Sequence, residues 1–309
     1  MSDPSLAAYV APRGFEHELE AELARAGRVA RERRGRLFLC DGPAVPMAWA
    51  QNTWLTPRFL DVRSIKDAAS QLKAMQRNWA LHESACLEGT RRRAALIEKA
   101  LPHVSRKPLA FGAGLPGAPL GAWTMWDSGR VLASPECASP FADGEVMIEE
   151  NRTDPPNRAY LKLWEAFTLL PRRPGPGERC LDLGASPGGW TWVLAGLGAR
   201  VLSVDKAPLA PEIARNPLVE YVAGSAFALA PETSGRFDWL CCDVICYPER
   251  LLKTIGRWLE SGNVRNFVCT LKFQGATDHA TAEAFAAVPG SKLMHLSCNK
   301  HELTWVLLT

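Results

Sequence analysis

Four charged residues in the second half of the chain, Lys162, Asp243, Lys272 and Glu302, are of the types that handle a proton at a hydroxyl. Two ammonium groups and two carboxylates brought together tune one another's charge, and such a set can activate or steady an oxygen that is a poor nucleophile on its own. Near them in sequence lies LDLGASPGGWTW (181–192), an apolar run that breaks into a glycine turn and resumes. Glycines there admit positive φ and let a ligand approach the backbone, while the helix that follows turns its N–H groups toward an anionic group.

Three ligands compete for such a turn. A triphosphate loop needs a lysine after the second glycine, and none follows Gly189. A dinucleotide loop needs GxGxxG, but the run GASPGG is one residue out of register. The third ligand is S-adenosylmethionine, whose carboxylate suits the backbone N–H groups and whose ribose wants an acid at the end of the second strand. Asp205 closes RVLSVD at that place, and it can accept from both ribose hydroxyls. Asp182, Gly184, Ser186, Pro187, Gly188, Gly189, Trp190 and Asp205 are the cofactor candidates, joined by Asp243 and Ser225.

The elements that must position these groups alternate. Short β-rich runs at 179–184, 200–205, 219–224, 237–244, 266–273, 292–297 and 303–309 are separated by helical patterns at 188–197, 248–261 and 277–287. Continuous apolar strands between helices imply a sheet buried on both faces, a Rossmann-like doubly wound α/β domain. Ligands of such sheets sit at the carboxyl ends of the strands. Asp243 ends the fourth strand, Lys272 ends the fifth, and Lys162 lies on a helix (157–170) before the first. The last two strands are joined by CNKHE, too short for a parallel crossover, so the seventh runs antiparallel and its beginning, Glu302, reaches the same edge.

These motifs, LDLGASPGGWTW, LSVD, CCDV, TLKF and HELTWVLL, resemble the FtsJ-type ribose 2′-O-methyltransferases over roughly 155–309. RAYLKLWEAF, PGGWT and VDKAP are most similar to the ribosomal large-subunit methyltransferase M group. The resemblance implies a Lys-Asp-Lys-Glu catalytic tetrad at Lys162, Asp243, Lys272 and Glu302, with S-adenosylmethionine as methyl donor. It also implies an RNA substrate, a cytidine ribose of 23S rRNA, and an N-terminal extension with a THUMP-like domain. One position departs: the family's acid facing adenine is Ser225 here, a weaker acceptor than a charged group. Alternatives are a non-catalytic RNA-binding or assembly factor with a methyltransferase shell, a small-molecule methyltransferase, and a 2′-O-methyltransferase acting on tRNA.

The first half reads as a smaller α+β domain, with the boundary set at 148 and 149. LAAYVAP, GRLFLCD and RFLDVRSI read as strands, 65–80 and 90–101 as helices, 107–123 as an irregular loop and 122–134 as a hairpin turning at Asp127-Ser128-Gly129. Residues 1–148 hold 19 Lys and Arg against 16 Asp and Glu, whereas 149–309 hold 17 of each. The excess gathers in RVARERRGR (28–36) and TRRRAALIEK (90–99). Arg33, Arg34, Arg91, Arg92 and Arg93 are therefore candidates for RNA phosphates, and Trp49, Trp54 and Trp79 for base stacking, against the plainer reading as solvated charges and core. The nine cysteines lack zinc spacing, no metal is expected, and they read as reduced, mostly buried thiols. His301 reads as a residue beside the site rather than in it. No apolar run of bilayer length and no signal-peptide pattern are visible, so no membrane association is expected and the cytoplasm is the default.

Overall fold

The computed structural model describes residues 5–309, and these divide into two compact units, 5–109 with 114–147 and 110–113 with 148–309. The first unit contains two four-stranded sheets. In one, β1 (Leu6–Val10), β2 (Ala30–Arg34), β3 (Leu37–Asp41) and β4 (Asn52–Trp54) lie in the order β2-β3-β1-β4, all antiparallel, with α1 (Glu16–Arg25) between the first two in sequence. In the other, β5 (Arg58–Asp61), β6 (Trp79–Leu81), β7 (Gly121–Met125) and β8 (Arg130–Ser134) lie in the order β5-β8-β7-β6, accompanied by α2 (Ile65–Met75) and α3 (Arg91–Lys99). Residues 107–120 form no helix or strand of their own beyond one isolated bridge residue, and the β7–β8 hairpin turns where the Asp127 carboxylate accepts from the Gly129 N–H at 2.8 Å.

In this unit the tryptophans follow the plainer reading as core, and the reading of the basic run is corrected. Trp49, Trp54 and Trp79 are at most 2% exposed, so they are core and cannot stack on a base. The basic run 28–36 is not simply a charged face. It forms the edge strand β2, in which Arg33 pairs with Glu20 at 3.2 Å and lies over Phe38, while Arg34 pairs with Glu32 and lies over the Trp126 ring. Charge on an edge strand discourages pairing with another chain.

The second unit opens with α4 (Tyr160–Leu169) and carries a seven-stranded sheet. Its strands are β9 (Arg179–Leu183), β10 (Arg200–Asp205), β11 (Val219–Ala223), β12 (Phe237–Cys242), β13 (Val264–Lys272), β14 (Ser291–Met294) and β15 (Glu302–Leu307). The order is β11-β10-β9-β12-β13-β15-β14. The first five are parallel to one another, and β15 runs antiparallel to both its neighbours. The order in which strands are added reverses at β9, with β10 on one side of it and β12 on the other, and such a switch point is the crevice where these sheets bind ligands.

Between these strands come α5 (Gly189–Gly196), α6 (Pro211–Ala214), α7 (Pro248–Ser261) and α8 (His279–Ala286). The termini of α7 follow from local chemistry: Pro248 starts it, where a missing N–H costs nothing, and Gly262 ends it at φ 64°. Leu251, Ile255 and Trp258, spaced four and three apart, form its buried stripe. Helix α5 is apolar nearly all round because it is packed between the sheet and α4; Leu194 is 0% exposed and Trp190 3%. The nine cysteines are all free thiols, seven of them buried.

Candidate active site

The glycine turn joins β9 to α5, and its shape explains its residues. Gly184 (φ 80°) would place a Cβ 2.9 Å from the backbone of Val244, and Gly188 (φ 117°) would place one 2.9 Å from Ile213. Gly189 would place one 2.1 Å from the Asn157 carboxamide oxygen, which accepts the Ala159 N–H at 3.1 Å. No side chain fits at the first two positions without moving backbone or reversing φ. The Ser186–Pro187 peptide bond is cis, and the Ser186 hydroxyl donates to Pro208 O at 2.8 Å.

Around the turn stand the two expected acids. Each oxygen of Asp205 accepts one backbone N–H, from Ser186 and from Ala207, both at 3.0 Å. The carboxylate is thus fixed at the strand end and keeps lone pairs for a diol. Asp182 is buried beneath the turn, where Oδ2 accepts from the Thr191 hydroxyl at 2.6 Å and Oδ1 has no partner among the described residues. Burial drives its carboxyl up to about 7. An orphaned buried acceptor, two glycines that leave the turn bare, the start of α5 beside them and the fixed Asp205 together fit S-adenosylmethionine.

Beyond the end of β12 the charged set is assembled. Lys162 Nζ lies 3.1 Å and 3.3 Å from the two Asp243 oxygens and 2.8 Å from Glu302 Oε1. Lys272 Nζ lies 3.1 Å from Asp243 Oδ1 and also donates to the Asp243 carbonyl oxygen. The connections therefore run Glu302–Lys162–Asp243–Lys272, alternating carboxyl and amino side chains. Burial alone would push the Lys162 ammonium down, but Asp243 and Glu302 outweigh it and hold the group above its ordinary value. Lys162 stays protonated and acts as the clamp; Lys272, at the other end of the row, has its second contact to a neutral carbonyl.

One residue, Trp190, stands differently from the sequence-based expectation, and two others are placed by their contacts. Trp190 is not a cofactor side chain: it is buried in the core, and its indole N–H donates to Ala159 O at 2.9 Å, just before α4 begins. Position next to a glycine turn does not reveal which way a helical side chain faces. The Ser225 hydroxyl accepts the Phe227 N–H at 3.3 Å, closing the turn after β11. His301 meets the Thr277 hydroxyl at 2.8 Å and packs its ring 5.4 Å from Phe273, one residue before Glu302.

Glu165 went unread in the sequence. One turn beyond Lys162 on α4, it is 2% exposed and accepts the Ser297 N–H at 2.6 Å and the Cys298 N–H at 3.1 Å. Burial raises its carboxyl despite those bonds. It ties the segment before β15 to the helix that carries Lys162. An acid three residues after Lys162, within an otherwise apolar helix, was the available signal. Among the described residues no group of three or more His, Cys, Asp and Glu is placed to hold a metal ion, and no helix is long and apolar enough to cross a membrane.

Comparison with known proteins adds to this geometry. The FtsJ-like methyltransferase family matches residues 156–274. A ribosomal RNA large subunit methyltransferase M of Halorhodospira halophila is 43% identical over 120 residues, 38% of this chain; the chain spans only 35% of that relative's length. The protein of the same name from Xanthomonas euvesicatoria is 30% identical over 302 residues, 84% of each chain. Among solved structures, TrmN from Thermus thermophilus is 15% identical with a TM-score of 0.35, covering 98% of this chain and 99% of its own.

Proposed function

Because the chain belongs to the ribosomal RNA large subunit methyltransferase M family of FtsJ-like methyltransferases, we propose that it methylates a ribose 2′-hydroxyl of large-subunit ribosomal RNA, at a cytidine. The observation that carries the chemistry is the Glu302–Lys162–Asp243–Lys272 row beside the glycine turn. Bound S-adenosylmethionine supplies an electrophilic methyl group on a sulfonium centre. Gly184 to Gly189, Asp182 and Asp205 are the residues proposed to hold it, with Asp243 at their border with the tetrad.

The chain's own part is to prepare the oxygen. A ribose hydroxyl is a weak nucleophile at neutral pH. Lys272 is the group proposed to receive it, either taking its proton or remaining charged and steadying the oxygen as its proton leaves. Lys162 holds Asp243 and Glu302 in place and keeps their charge compensated. Fixing these groups in advance removes reorganisation from the reaction.

The first unit is proposed as the RNA grip, a THUMP-like role. Its supporting feature is α3, on which Arg91 and Arg92 are exposed; Arg93 instead donates to the Ser128 carbonyl at 2.5 Å. Phosphate contacts of this kind orient an RNA without reading its sequence.

The test is incubation with labelled methyl donor and unmodified large-subunit rRNA, followed by alkaline digestion, which a 2′-O-methyl group resists. Label in an alkali-stable cytidine dinucleotide is expected. Label on a base, or none on any rRNA, overturns the reading.

A further inference from the structure

The loop that leaves the tetrad carries an aromatic residue with no evident part in folding. Tyr247 is 67% exposed and Ile245 75%, the most exposed large apolar side chains of the second unit, on either side of buried Cys246. Tyr247 is the N-cap residue of α7, yet its side chain makes no capping hydrogen bond. Caps are normally Ser, Thr, Asp or Asn, because a short side-chain oxygen satisfies an open helix N–H. An exposed tyrosine does neither that nor core packing.

Tyr247 lines a cavity of about 320 Å³ with Glu249, Phe273, Gln274 and Asp278. That is the lower end of ligand cavities, about 300–1,000 Å³. The cavity is built on the neighbours of the tetrad. Phe273 follows Lys272, donates its N–H to His301 O at 3.1 Å and packs against the His301 ring, and His301 precedes Glu302. Tyr247 lies four positions beyond Asp243, with three residues between them, and the Cys246 thiol, pushed up by burial, is drawn down by the charges of Arg250 and Lys272. Its ionisable walls, Glu249 and Asp278, are both carboxylates, which repel phosphate. What fits beside a tetrad that acts on a ribose, between an aromatic face and hydrogen-bond acceptors, is an uncharged flat ring carrying a donor.

We propose that this cavity seats the base of the nucleotide being methylated, with Tyr247 stacked on its face and Glu249 accepting its exocyclic amino group. The inference rests on the methyltransferase reading above and extends it to the base. Cytosine presents such an amino group, whereas uracil presents a carbonyl that Glu249 repels. Glu249 is therefore the specificity residue and Tyr247 the stacking platform, and methyl transfer itself stays with the tetrad.

The test uses the full chain, a large-subunit rRNA transcript, and the variants Tyr247→Ala, Tyr247→Phe and Glu249→Gln. Y247A should raise KM for RNA about 10- to 100-fold, the range of one lost base–aromatic stack, with cofactor affinity unchanged. Y247F should keep wild-type KM, because a phenyl ring stacks too. E249Q should improve a transcript with uridine at the target relative to cytidine, since a carboxamide can donate. Ultraviolet crosslinking with S-adenosylhomocysteine present should attach RNA at Tyr247, and this needs no turnover. Crosslinking without methylation upholds the seat and removes the methylation reading. Active wild type with unchanged Y247A kinetics and no crosslink at Tyr247 removes the seat and leaves that reading. An unaltered cytidine preference in E249Q removes the assigned amino contact, and failure to bind RNA at all overturns both.

Discussion

Lys272 and Glu302 stand directly opposite each other in the antiparallel pairing of β13 with β15, and the cation 2.8 Å from Glu302 is Lys162, from a helix outside the sheet. The sheet sets the spacing of two members of the tetrad, and α4 inserts the third between carboxylates. This division of labour separates what each lysine does.

Removing Lys162 leaves Asp243 and Glu302 without their shared cation. Lys162→Ala should lose both activity and about 3–5 kcal/mol of stability, the cost of breaking a buried ion pair on one side. Lys272→Ala should fold with nearly wild-type melting temperature and turn over about 10²- to 10⁴-fold more slowly. Calorimetric melting beside tritium transfer separates the two; equal destabilisation by both would contradict the assigned roles.

Lys272→Arg distinguishes the two ways Lys272 can serve the hydroxyl. A guanidinium keeps its charge but does not give up its proton near neutral pH. Activity at least ten times that of Lys272→Ala, roughly 1.4 kcal/mol of barrier, is expected if charge is what matters. Activity as low as Lys272→Ala points to proton acceptance. Single-turnover rates across pH make the comparison.

Asp182 should leave a signature in the pH dependence of folding. Burial raises its carboxyl to about 7, so the folded protein keeps a proton that the unfolded chain releases near 3.8. Its contribution to stability is full below the unfolded value and is lost as pH rises through about 7. Asp182→Asn removes that loss, so the melting temperature of the variant relative to wild type should climb between about pH 4 and pH 7. A pH-independent difference would refute the assignment. His295, held down at about 4 by burial, acts in the opposite sense: its contribution is present above 6.5 and lost as pH falls through about 4.

Three glycines of one turn should respond unequally to alanine. At Gly184 and Gly188 the added Cβ meets backbone or a packed Ile213 at 2.9 Å and the φ is positive, so a penalty of about 1–3 kcal/mol and loss of cofactor binding are expected. At Gly189 the obstacle is the end of the Asn157 side chain, which can swing aside for about 1 kcal/mol of lost hydrogen bonding. Calorimetric titration with S-adenosylhomocysteine ranks them, and a Gly189 variant worse than both others would contradict the geometry.

If α3 meets phosphates, Arg91→Glu with Arg92→Glu should weaken RNA binding and flatten its dependence on salt by about 0.7–0.9 per lost contact. Filter binding over a series of salt concentrations measures the slope. An unchanged slope would move the RNA grip away from α3.

Much of the second unit could be read from residues alone because its strands are buried on both faces. β10 is as expected, and α7 begins at its proline and stops before its glycine. The tetrad was legible for the same reason: once strand order and the short β14–β15 connection are known, four charges fall at one edge. Facing was not legible. Trp190 adjoins the turn in sequence and turns into the core, and Glu165 acts through backbone N–H groups more than a hundred residues away. The first unit yielded less, since β4 and β6 are three residues each and β2 hides its strand in the run ARERR, where side chains pair sideways rather than inward.

The direct opposition of Lys272 and Glu302 also constrains how such an enzyme can change over generations. A slip of one residue between their strands would turn Glu302 to the far side of the sheet and carry Trp305, now wholly enclosed, out of its place. Gradual drift is therefore closed to this pair: a lineage keeps the alignment intact or forfeits fold and chemistry in a single step.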